Sequence, residues 1–397
     1  MNNKRLTLYI LPLIISSLII FLASDTELWK NFWPVFNVPP QLPPFSDLDS
    51  ISRALSAKSH GLNPYFDNPY DLSQKPYSYT SIWLTLFEFF RLNDQFNFRV
   101  FNFILIYSYI FIFIKLALKI NSNIFSIFLI VSFFSTSNLL LLERLNIEII
   151  IIILVFLISV IKNDYLKVPI YFSAIFLKLY PIFSVFIFMK NKKLFFLIIF
   201  LSLLSLIFIK DQIYLIIKNA VEYALIIVHG FPSIIKGISY YAIRNDLFIN
   251  ENNYLNFKFL SIFIAVIYTS IIFFYNFRLG EKNLKREFSL EEKLFVCGAG
   301  IYVGKMLFFS NWDYGLVFLI FTIPYIIRLN NNYKYIYLLI VLVCMNSFYF
   351  EGGDRYTIFY ASKAFVVHSL KILIFSYLCF YFSKIINIHL EIKFKNE

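Results

Sequence analysis

The segment "FSDLDSISRALSAKSHGLNPYFDNPYD" (45–71) sets two carboxylates, Asp47 and Asp49, directly after a proline-rich stretch. A carboxylate held at a cavity can take a proton from a hydroxyl, so either one is a candidate general base. On a helix starting here the two diverge by about 200°, so one site cannot use both equally. The competing reading is that Asp47 caps that helix. "LLERLNIEII" (141–150) places Glu143, Arg144, Asn146 and Glu148 between two apolar runs. Arg144 and Glu148, four apart, could pair on one helix face, and charges so placed are costly unless they face a cavity. "SAIFLKLYPIF" (173–183) puts Lys178 inside an apolar run with Pro181 close behind. Pro181 has no N–H for the carbonyl of Leu177, so the helix is predicted to kink or break there. A cation beside such a break suits a phosphate, although a lysine can also snorkel to an interface.

Further along, "GIYVGKMLFFSNWDYGLVFLIFTIPYI" (300–326) offers Lys305 and then a polar break from Ser310 to Asp313. Asn311 and Asp313 there either line the cavity that Asp47 faces or form an interfacial turn. His229, Arg244, Asp246, Asp354 and Arg355 are loop charges that no spacing singles out.

These residues are carried by an apolar chain. Of 397 residues 59% are hydrophobic and 15% charged, and the mean hydropathy is +0.70, which indicates a polytopic, all-α membrane protein. Apolar runs recur at roughly 6–23, 79–91, 98–120, 123–142, 147–161, 168–189, 193–209, 256–277, 293–309, 314–327, 334–349 and 364–383. Counted once each, they make about 12 membrane helices in a single integral domain, 1–397. The runs at 79–91 and 147–161 are short enough to be partial or re-entrant. The first run reads as an uncleaved signal-anchor.

A net charge of +12 could suggest nucleic acid, but the cations cluster in short turns: "KNKK" (190–193), "RLGEKNLKRE" (278–287), "RLNNNYK" (328–334) and the terminal "IKFKN". That is the pattern of cytoplasmic loops. Residues 24–78 are then a long first extracytoplasmic loop with short juxtamembrane helices. Within it Ser46 or Asp47 would cap a helix running to about Ser59, stopped by Gly61. Residues 210–255 form a second loop on the same side, and "YFEGGDRYT" (349–357) a third. Residues 143–146 fall on the cytoplasmic side if every run crosses, and on the extracytoplasmic side if 79–91 only dips. The three cysteines are scattered, without metal or disulfide spacing, and no Walker A loop, GxGxxG, HExxH or GxSxG occurs.

In this order, Asp47 with "GLNPY" (61–65), "YSYTSIWLTL" (77–86), "LKLYPIFSVFIFMKNKK" (177–193) and "NWDYGLVFLIFTIP" (311–324) resemble glycosyltransferase family 87. These are polyprenyl-phosphate-dependent enzymes of the GT-C fold, related to mannosyltransferases, and the likeness covers most of the chain. It implies that the first-loop aspartate is the catalytic base, Asp47 by its distance to "NPY" and Asp49 otherwise. Where relatives often carry a glycine-glutamine pair, this chain has "ERLNIE".

The resemblance implies an inverting, multi-pass hexosyltransferase of the bacterial inner membrane, active on the extracytoplasmic side. It would move one sugar, mannose being the one suggested, from a polyprenyl-phosphate donor to a hydroxyl of a glycan or glycolipid. Asp47 would deprotonate that hydroxyl, while Lys178 with Arg144 or Lys305 stabilises the departing phosphate. Asn146, Asn311 and Asp313 complete the expected substrate site. Membrane lipids are expected partners; nucleic acid, metal and cofactor are not. Two other classes remain open: an O-antigen-type polysaccharide polymerase or ligase, and a lipid or glycan transporter without bond chemistry.

Overall fold

A computed structural model describes residues 3–71, 74–219, 226–234, 254–278, 287–309, 311–350 and 357–390. Arg244, Asp246, Ser310, Asp354 and Arg355, with most of 210–255, 279–286 and the terminal "IKFKN", lie outside the described residues. The protein is predominantly helical, and the chain forms two compact units. One comprises residues 1–129, 138–181 and 199–221; the other comprises 130–137, 182–198 and 222–397.

In the first unit α1 (Asn3–Leu22) packs along α5 (Gln95–Ile120). Asp25 then turns the chain by accepting from the backbone N–H groups of Glu27 and Leu28 at 2.8 and 3.2 Å. This starts α2 (Thr26–Phe32), and the direction changes by 115° across α1 and the helical stretch after it. Next come α3 (Ser46–Ser59) and α4 (Ser81–Phe89), which pack together. At 9 residues, α4 spans only about 14 Å at 1.5 Å per residue, too little to cross a bilayer. Asp94 starts α5 by accepting from Phe96 and Asn97 N–H, both at 3.0 Å.

A bent pair follows, α6 (Asn123–Phe133) and α7 (Thr136–Arg144). Beyond it α8 (Glu148–Val160) packs on α5 and on α9 (Asp164–Leu177). A 3-10 helix, Tyr180–Phe188, replaces the rest of the α9 run, and α10 (Lys192–Phe208) and α11 (Lys210–Asn219) follow.

The second unit is built on α12 (Tyr254–Arg278), α13 (Leu290–Phe308), α14 (Ile323–Ile327), α15 (Tyr333–Met345) and α16 (Ile358–Leu390). A capping box of Ser289 and Glu292 opens α13. This helix is buried along nearly its whole length, packed on α16 and on the 3-10 helix Asp313–Phe321. Gly300 permits that depth, because a Cβ there would sit 2.3 Å from the carbonyl oxygen of Phe183. A two-residue antiparallel pair, β1 (Val228–His229) with β2 (Asn311–Trp312), sets Val228 opposite Trp312 and His229 opposite Asn311.

Among the described residues three helices are long and apolar enough to cross a membrane: Gln95–Ile120, Phe259–Asn276 and Ile358–His389. The number becomes six if each of three bent pairs is one span. Between them α8 and α15 are apolar but short.

Candidate functional site

The first unit gathers Asp47, Arg144, Asn146 and Lys178 into one polar cluster. Its floor is α3, whose start differs from the expectation: neither Ser46 nor Asp47 caps it. Phe45 precedes the helix in the left-handed region, φ 63°, and no side chain caps the first turn. Asp47 does not serve as a cap, and one of its carboxylate oxygens accepts from the side-chain amide of Asn146. Asp49 points elsewhere and is bound to Arg53 on the next turn, whose guanidinium also donates to the carbonyl of Tyr70 at 3.1 Å. Of the two carboxylates only Asp47 belongs to the cluster.

Asn146 sits in the break between α7 and α8, where Leu145 takes φ 46°. Its side-chain oxygen accepts from the Glu148 N–H at 3.0 Å, starting α8, while its amide serves Asp47 and the Tyr79 hydroxyl. This break overturns the expected Arg144–Glu148 pair, because the two residues end one helix and begin another. Arg144 instead pairs with Glu143 at 2.9 Å and donates to Ser46 Oγ and the Pro39 carbonyl, each at 3.3 Å. Glu143 in turn accepts from the Gln41 backbone N–H at 2.7 Å and the Trp29 indole at 3.3 Å. The Asn146–Asp47 bond also places residues 143–146 at the same end of the unit as the segment that carries Asp47, in keeping with the shortness of α4.

Lys178 lies one residue past α9, with its backbone extended at φ −158°. Its ammonium meets Glu148 at 2.9 Å, and the Tyr180 hydroxyl donates to the other oxygen of that carboxylate. The helix breaks at the predicted place. The Leu177 carbonyl, which Pro181 cannot serve, accepts from the Trp83 indole at 2.9 Å.

Exposure separates these groups by role. The side chains of Arg144 and Lys178 are 18% and 21% exposed, whereas those of their partners Glu143 and Glu148 are 0% and 1% exposed. Two buried carboxylates thus pair with two cations, while the side chains of Arg144 and Lys178, like Asp47, stay only partly exposed. Burial raises the Asp47 carboxyl from its ordinary value of 3.8, against the opposing effects of Arg144, the Asn146 bond and Lys178. A carboxyl moved upward in this way is a stronger base once ionised.

Lys305, Asn311 and Asp313 belong to the second unit. Asp313 is wholly buried and satisfied: it takes the Lys371 ammonium at 2.7 and 2.9 Å, the Ser347 hydroxyl, and His229 Nδ1 at 3.3 Å. Burial alone would push its carboxyl up, but Lys371 and His229 hold it below the ordinary 3.8. Lys371 also donates to the carbonyls of Ile226 and Val228 at 2.6 and 2.8 Å, tying β1 to α16. Asp313 is therefore the centre of a buried ionic network. Lys305 is buried beneath Gly315, 5.4 Å from the Phe318 ring centroid.

The sequence reading missed Lys371, although its signal was the one that exposed Lys178: an ionisable residue inside an apolar run, here 364–383. Tyr79 and Tyr180 carry no comparable signal in a chain with Tyr 28. Among the described residues no group of three or more His, Cys, Asp or Glu side chains forms a metal cage. Compared with family models, with curated proteins and with solved structures, the chain matches none.

Proposed function

We propose that the protein is a membrane glycosyltransferase of the GT-C type, with about 12 membrane-associated helices, that transfers one sugar from a polyprenyl-phosphate donor to an acceptor hydroxyl on the extracytoplasmic face. The observation that carries this reading is the arrangement of Asp47 beside two cation heads, each backed by a buried carboxylate. Asp47 accepts the proton of the acceptor hydroxyl as that oxygen attacks the anomeric carbon. The bond to the phosphate breaks on the opposite face of the sugar, with inversion. The leaving phosphate monoester gains negative charge, which Arg144 and Lys178 offset from fixed positions, so little reorganisation accompanies bond cleavage. Asn146 holds Asp47 in place by donating to it, leaving the second carboxylate oxygen for the substrate.

An apolar cavity of about 140 Å³ in the same unit is lined by Trp83, Phe87, Phe90, Ile150 and Leu177 among others, and Leu177 immediately precedes Lys178. A phosphate at Lys178 with a hydrocarbon tail leading into apolar surroundings is consistent with a lipid-linked donor rather than a soluble nucleotide sugar.

The test is reconstitution of the full chain in liposomes with polyprenyl-phosphate mannose, glucose and galactose, each radiolabelled, and a panel of glycan and glycolipid acceptors. Transfer by the wild type that disappears in Asp47→Asn supports the proposal. Turnover retained in Asp47→Asn, with the same donor and acceptor, overturns it.

A further inference from the structure

The second unit holds an unsatisfied donor and an unsatisfied acceptor side by side. His229 and Asn311 are direct partners in the antiparallel pair, so their side chains leave the same face of the ribbon with Cβ atoms about 5 Å apart. His229 gives its Nδ1–H to Asp313, which fixes the tautomer and leaves Nε2 as a lone-pair acceptor. That Nε2 is buried without a partner, and so is the side-chain nitrogen of Asn311, a donor. Each such orphan is costly in a folded protein.

Lys305 borders the same ring. A Cβ placed on Gly315 would lie 2.2 Å from the Lys305 ammonium and 3.1 Å from His229 Cε1, so both groups press on one glycine. Tyr302 stacks on the imidazole, with centroids 6.1 Å apart and planes 12° apart. His229, Lys305 and Asp313 have no exposed surface, whereas Asn311 and Trp312 are partly exposed, so the exposed side of this cluster is at β2.

We propose that His229, Asn311 and Lys305 form a carbohydrate-binding subsite that reads two vicinal hydroxyls of a sugar. One hydroxyl accepts from Asn311 and donates to His229 Nε2, a combination that a hydroxyl supplies and that an anion or a cation does not. The neighbouring oxygen accepts from the Lys305 ammonium, which carries three N–H donors. The imidazole is suited to accept, because burial pushes it down to about 4 and keeps it neutral. Glycine at 315 lets the ammonium and the ring share one wall. This assignment stands on the second unit alone and does not require the transfer chemistry of Asp47.

The experiment is saturation-transfer NMR on the full-length protein in a detergent with no sugar headgroup, with methyl α-D-mannoside, methyl α-D-glucoside and methyl α-D-galactoside as probes. The wild type and Asp47→Asn should both transfer saturation, concentrated on the protons of one vicinal diol. Asn311→Asp, which replaces the donor by an acceptor, and His229→Phe, which removes the acceptor, should each weaken binding about tenfold or more.

The monodeoxy glycosides provide a readout that needs no variant. Removing either hydroxyl of that diol should lower affinity about tenfold, and removing a distant one should not. The proposal is overturned by absence of transfer to the wild type for all three glycosides at saturating concentrations, by equal transfer to Asn311→Asp and His229→Phe, or by a flat deoxy series. The last result would leave an ordered water between the two orphans.

Discussion

The indole N–H of Trp83 donates at 2.9 Å to the carbonyl of Leu177, the acceptor that Pro181 leaves without a helical donor. Thr80 Oγ1 approaches the same oxygen at 3.5 Å. One proline therefore ends α9, and one tryptophan from a helix 94 residues away in sequence takes up the carbonyl it frees. The backbone leaves that point extended, which brings Lys178 to Glu148. Trp83→Phe keeps the ring and removes the donor, leaving a buried carbonyl short of its partner. The expected cost is about 1–3 kcal/mol, read as a lower unfolding midpoint in detergent. Thr85→Ala, on the exposed side of the same helix, should leave the midpoint in place.

On the proposed function, Asp47 is the base and Asp49 a structural partner of Arg53, although the two stand within one helical turn. Asp47→Asn should lower transfer by about 10²–10⁴ at nearly unchanged stability. Asp49→Asn loses only a part-exposed pair with Arg53, which is worth under about 1 kcal/mol, and should keep its turnover. Parallel assays in liposomes check both, and equal loss in the two variants would remove Asp47 from its role.

Because burial raises the Asp47 carboxyl above 3.8, activity and this one group's contribution to stability should move in opposite directions with pH. Between 3.8 and the raised value the folded chain binds the proton that the unfolded chain has released. This group's contribution to stability is full below that window and is lost as pH rises through the folded value. Transfer needs the ionised base and so rises over the same range. Unfolding midpoints and transfer rates measured against pH check the crossing, and Asp47→Asn should abolish this group's part of the stability slope.

What could be read in advance was whatever local covalent chemistry dictates. The break at Lys178 follows from Pro181 lacking an N–H, and the helix ending at Ser59 from the glycine after it. The candidates Asp47, Arg144, Asn146 and Lys178 were recognisable because charged and polar side chains are costly beside apolar helices. Their partners were not. Glu143 is held by Gln41 and Trp29, more than 100 residues distant, and no spacing rule spans such a gap. The expected Arg144–Glu148 pair failed because it assumed a continuous helix, and the left-handed Leu145 interrupts it. Lys371 was as visible as Lys178, but no proline stood beside it to draw attention.

Lys178 and Glu148 provide a way to separate holding the fold from acting on the substrate. Lys178→Met takes the ammonium away from Glu148, which is 1% exposed and whose other oxygen accepts from the Tyr180 hydroxyl. Breaking a buried pair from one side costs about 3–5 kcal/mol. Adding Glu148→Gln removes the buried charge, so the double variant should recover most of the stability, as neutral replacements of buried pairs do. On the proposed function transfer should not recover, because the cation assigned to the leaving phosphate is still missing, and a deficit of about 10²–10³ should persist. The decisive measurement sets unfolding midpoints beside turnover for both single variants and the double. If activity returns along with stability, Lys178 serves only to neutralise Glu148, and the phosphate must rely on Arg144.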